Sequence, residues 1–151
     1  MRTTRRGFTM IELALTLVVI GILATMAMAK VGSTISRSKV DRAASIVAAD
    51  LENAFSTGGR LRQPLVISCD CANRIYRVND QLNGGALRLE RNLGPATPFT
   101  VATMTFEPTT VTFLPPGRLS QQLQVDLTVD GKTRRITMSS AGFVRITTPT
   151  P

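Results

Sequence analysis

Few side chains in this 151-residue chain have the types and spacing that chemistry needs. Histidine is absent, which removes imidazole acid–base catalysis and nearly every common transition-metal site. Serines occur without a histidine to activate them, and no paired-carboxylate or glycine-rich phosphate motif stands out. The chain is therefore not expected to be an enzyme, and neither a cofactor nor a metal is expected. One carboxylate stands apart. Glu12 is the only charge in the apolar run from Phe8 to Ala29. A carboxylate inside a membrane span costs about 2.5 kcal/mol or more near the centre and less near an interface, so it marks a functional site by default. Without a partner it would simply reach for the interface. Cys69-Asp70-Cys71 is the second grouping. Its spacing is not the C-x-x-C of a redox pair, and a bridge, two free thiols or a metal ligand pair are the readings open to it.

These residues need elements to hold them. Arg2, Arg5 and Arg6 precede the apolar run and Lys30 ends it. As a helix, Phe8–Ala29 would be roughly 33 Å long, enough for a hydrocarbon core of ~30 Å. The arginines would stay in the cytoplasm by the positive-inside rule. A secretory signal peptide cut after Ala27-Met28-Ala29, or a plain single-pass anchor, would share those features. From residue 30 to 57 apolar residues recur at spacings of three and four, at Val31, Ile35, Ala43, Ile46, Val47, Leu51, Ala54 and Phe55. That pattern predicts an amphipathic helix continuing the first, with Gly58-Gly59 as its stop. Arg37, Lys39, Asp41, Arg42, Asp50 and Glu52 read as its solvated face. Residues 58–151 predict strands over 65–67, 74–78, 86–89, 111–114, 123–129, 135–138 and 143–146, with Asp130-Gly131 as a hairpin turn. The fold class is α+β, with a long N-terminal helix packed on a mostly antiparallel β-sheet domain.

The stretch Arg5-Arg6-Gly7-Phe8-Thr9-Met10-Ile11-Glu12-Leu13 resembles the leader of type IV pilins and type II secretion pseudopilins. The resemblance implies that residues 1–7 are a leader cut between Gly7 and Phe8 by a prepilin peptidase, with N-methylation of Phe8. Residues 8–29 would then stay on the mature chain as a transmembrane and assembly helix. The resemblance also gives Glu12 a role, pairing with the free amine of its own or a neighbouring subunit as helices stagger along a fibre. Such pairing is stronger in a low-dielectric layer than in water, and it fixes register. A second resemblance lies in Phe113-Leu114-Pro115-Pro116-Gly117-Arg118 and Ile136-Thr137-Met138-Ser139-Ser140-Ala141-Gly142-Phe143-Val144-Arg145. These stretches look like the signature of the GspH/FimT family of minor pseudopilins and minor pilins. The implied setting is the bacterial inner membrane, N terminus cytoplasmic and C-terminal domain periplasmic. Implied partners are other pilins or pseudopilins in a helical fibre, the prepilin peptidase, and a secreted protein substrate or DNA. In that oxidising compartment Cys69 and Cys71 are expected to be bridged.

The net charge of +8 raises the question of a polyanion. Arg134 and Arg135 cluster with Lys132 beyond the Asp130-Gly131 turn, and Arg145 follows Gly142. Members of the resembled family that take up DNA in transformation carry Gly-Arg-x-Arg near the C terminus. Here Gly142-Phe143-Val144-Arg145 keeps only the second arginine, so Arg134, Arg135 and Arg145 are the DNA contacts expected under that alternative. Aromatic residues are scarce and tryptophan is absent, which leaves little for base stacking.

Overall fold

The computed structural model describes residues 8–149, the side chains of 26–31 excepted. Among the described residues the element order is one helix, α1 (Met10–Leu61), then nine strands. These are β1 (Leu65–Asp70), β2 (Ile75–Asp80), β3 (Leu87–Asn92), β4 (Thr103–Glu107), β5 (Thr110–Leu114), β6 (Arg118–Leu119), β7 (Leu123–Val129), β8 (Lys132–Met138) and β9 (Val144–Thr147). The chain divides into two compact units, one ending at Ile35 and one beginning at Ser36.

The described part of the first unit is helical from Met10, and its apolar side chains are exposed. Among the described residues no helix is long and apolar enough to cross a membrane. The predicted leader 1–7 and the side chains of the predicted span's last residues, 26–29, lie outside the described residues.

In the second unit, α1 covers two sheets. One has the order β3-β2-β1-β5-β6 and the other β4-β7-β8-β9, with every pairing antiparallel. Strict alternation decides which residues enter the core. In β7, Leu123, Val125, Leu127 and Val129 are buried while their neighbours are not. The helix contributes Val40, Ala43, Ala44, Val47, Ala48, Leu51 and Ala54 to the same core. Tyr76 from the first sheet stacks obliquely on Phe106 from the second at 5.8 Å between ring centroids, inside the shared core. Asp130 and Gly131 both take positive φ, 47° and 74°, as a two-residue hairpin joining right-twisted strands requires.

Four expectations need correction. The helix does not stop at Gly58-Gly59 but runs through both to Leu61. Its end is a Schellman turn, in which Arg62 adopts φ 52° and the Gln63 N–H donates to the Gly58 carbonyl at 3.3 Å. Gly58 serves packing instead. A Cβ there would lie 3.6 Å from the Cβ of Phe113 and 3.8 Å from Leu65, where helix and sheet touch. The strands form two sheets, because β4, which was not foreseen, pairs with β7 and gives the second sheet its outer edge. Val40, also not foreseen, is in the core, while Ile35 is exposed. Finally, Asp50 is not solvated but 9% exposed and fully partnered.

Candidate functional site

The N-terminal determinants begin at Phe8, which is 78% exposed. Gly7 lies outside the described residues. Thr9 caps α1, with its Oγ1 accepting from the Glu12 N–H at 3.3 Å and its carbonyl from the N–H groups of Glu12 and Leu13. Thr9-x-x-Glu12 is thus a capping-box sequence, and Glu12 sits in the first turn, where a carboxylate complements the helix dipole. Its side chain is exposed among exposed apolar neighbours. This geometry presents an acidic group in the first turn of the helix.

Cys69 and Cys71 are joined by a disulfide at the end of β1. Both are half-buried and pack against the core. The following turn is closed by Asp70, whose carboxylate accepts from the Asn73 side chain at 2.9 Å. That hydrogen bond holds the Asp70 carboxyl below its ordinary range. Bridge and turn together make a rigid strand terminus. Among the described residues no group of three or more Cys, Asp or Glu side chains could hold a metal.

The three candidate arginines do not all share one face of the sheet. Adjacent strand residues point to opposite faces, so Arg134 and Arg135 diverge. Arg134 turns to the helix side, where Asp41 accepts from its Nε at 2.5 Å and Thr148 from its Nη1 at 2.8 Å. Arg135 turns outward and clasps Asp126, directly opposite on β7, through two hydrogen bonds of 2.9 Å. Arg145 is exposed on that outward face, opposite Thr137. Two of the three guanidiniums are thus already held by carboxylates.

Two buried-carboxylate clusters carry the electrostatics that sequence reasoning missed. Asp50 accepts from the Tyr76 hydroxyl at 2.6 Å and from Arg91 at 2.9 and 3.1 Å, tying α1 to β2 and β3. Burial first, and then the Asp50 carboxylate, push the Tyr76 phenol far above its ordinary value. Asp80 is wholly buried and bound by Arg88 at 2.9 Å, by Asn83 at 2.7 Å and by the Leu82 N–H. The Arg88 hydrogen bond, above all, lowers its pKa. The Asp50 cluster is not signalled locally, because its members lie 26 and 41 residues apart, whereas the partners of Asp80 lie 2, 3 and 8 residues away. Both are clamps within the fold.

Glycines explain the C-terminal motif. The Phe55 ring is flanked by Gly117 and Gly142, and a Cβ on Gly142 would fall 2.4 Å from two of its ring atoms. Gly117 and Gly142 take φ of 113° and 89°. The 139–143 turn is closed by the Gly142 N–H to the Ser139 carbonyl and the Ser139 N–H to the Phe143 carbonyl.

Residues 2–28 match the model of the prokaryotic N-terminal methylation motif. A search of curated proteins returns no match. Among solved structures, the minor pseudopilin EpsH from the type 2 secretion system of Vibrio cholerae is similar, with a TM-score of 0.60 and 13% identity. That match covers 75% of this chain and 99% of EpsH. The type IV minor pilin FimU of Pseudomonas aeruginosa is similar too, with a TM-score of 0.59 and 18% identity over 74% of this chain and 90% of FimU. The chain thus joins a prokaryotic N-terminal methylation motif to a fold similar to those of a minor pseudopilin and a minor pilin.

Proposed function

We propose that this chain is a minor subunit of a pilin-like fibre, a structural component and not a catalyst. The methylation motif over residues 2–28 carries the reading, because it stands on the same chain as the fold of EpsH and FimU. The prepilin peptidase cuts between Gly7 and Phe8, Phe8 is methylated, and residues 8–29 hold the subunit in the inner membrane until it enters the fibre. Glu12 then pairs with a subunit amine. The fibre is a type II secretion pseudopilus or a type IV pilus, and the C-terminal domain is periplasmic. The clamping of the buried carboxylates within the fold and the absence of histidine fit a role in assembly. The ion pairs of Arg134 and Arg135 give the DNA-uptake alternative no support of their own.

Intact mass and N-terminal sequencing of the mature protein test this reading. A start at N-methylated Phe8 is expected. A start at Lys30 would remove the helix from the mature chain and overturn the proposal.

A further inference from the structure

A cleft of roughly 570 Å³ opens where β9 stops short of the end of β8. β9 pairs Arg135 to Met138 only, so among the described residues Lys132, Thr133 and Arg134 have no strand partner on that side, although Arg134 Nη1 reaches Thr148 Oγ1 at 2.8 Å. Continuing the register places Pro149 opposite Thr133, and proline has no N–H to extend a ladder. The Thr133 carbonyl is instead taken by Arg134 Nη1 at 3.4 Å. Arg37 from α1 and Lys132 from β8 line this cleft, and neither is in a salt bridge among the described residues. Arg134 and Arg135 line it as well, each held by one carboxylate, Asp41 and Asp126. The walls and their partners therefore carry four cations and two anions.

We infer that this cleft receives an acidic segment of a partner protein, its carboxylates seated on Arg37 and Lys132. An oxyanion with two acceptor atoms suits a free guanidinium, which offers paired donors. A nucleic acid suits the cleft poorly. Tracking a phosphate backbone takes a run of free cations, and base stacking takes aromatic rings, while the lining supplies two free cations and no ring. The inference holds whether or not the partner is a fibre subunit.

The test uses the full-length chain in detergent at low salt, with a short fluorescein-labelled peptide of alternating Glu and Ser as probe. Fluorescence anisotropy should report binding that weakens by about tenfold or more in the Arg37→Glu, Lys132→Glu double variant. The outward-facing Arg145→Glu variant should bind as the parent does. Both altered side chains are exposed, so the melting curve should not move. If it does, the single neutral variants Arg37→Gln and Lys132→Gln should each still weaken binding. The inference is overturned if the parent ignores the peptide, if a Gln-for-Glu peptide binds equally, if the variants bind unchanged, or if a single-stranded oligonucleotide binds and the peptide does not. Cleavage at Gly7–Phe8, followed on the same variants, reports on the subunit proposal separately and should be unaffected.

Discussion

Single side chains hold this fold at points where no neighbour can give way. Gly142 is the sharpest case, since both its positive φ and the Phe55 ring exclude a Cβ. Gly142→Ala should destabilise the protein by about 2–4 kcal/mol through overpacking and backbone strain. Denaturant unfolding checks this, and trimming Phe55 to Leu in the same chain should recover the steric part. A loss below about 0.5 kcal/mol would contradict the geometry. Asp80 makes a prediction about acid. Its pKa in the folded state lies below the unfolded value of about 3.9, so it stabilises fully above that value. The contribution fades as pH falls through the lowered folded pKa. Arg88→Gln removes the largest cause of the lowering, so it should cost stability at pH 7 and much less well below pH 3. Equal losses at both pH values would show that Arg88 acts through packing and not through charge.

Elements follow the same physics with a longer reach. The exposed residue Arg62 spends the end of α1 at φ 52°, a conformation glycine adopts more easily than any side-chain-bearing residue. Arg62→Gly should therefore raise stability by roughly 0.5–1 kcal/mol in thermal or denaturant unfolding, and a loss would mean that the Arg62 side chain makes a needed contact. The capping turn was illegible because Gly58-Gly59 carries the stronger stop signal, and only the packed strand shows why Gly58 stays helical. Other elements were plain. The alternation in β7 and β8 and the Asp130-Gly131 turn between them declare a hairpin without help. β4, Thr103-Met104-Thr105-Phe106-Glu107, alternates just as strictly, but it is short and lies close to Pro108, so its pattern does not stand out in the sequence. The helix pattern shows Asp50 only as polar and cannot show its partners on distant strands. The lone acid Glu12 and the Cys69/Cys71 pair could be picked out from the sequence, whereas the opposite facing of Arg134 and Arg135 needed the strand register.

Over the whole molecule the decisive question is what the Glu12 carboxylate does, because its position fits two roles. As the third residue after the Thr9 cap it has the position and side-chain type of a capping box, which would help start the helix. As an anion among exposed apolar side chains it is suited to an amine on another subunit. The two roles separate on glutamine, which serves a capping box nearly as well as glutamate but carries no charge. If charge pairing governs assembly, Glu12→Gln and Glu12→Ala should both be cleaved normally at Gly7–Phe8, and both should enter fibres about tenfold less well than the parent. The size follows from an ion pair worth at least about 1.4 kcal/mol in a low-dielectric layer. Quantitative blotting of sheared fibres against the membrane fraction measures it. Should Glu12→Gln assemble like the parent while Glu12→Ala fails, capping alone would account for the residue and the pairing role would be abandoned. An assembly defect in both, with cleavage intact, leaves the charge itself as what the fibre reads.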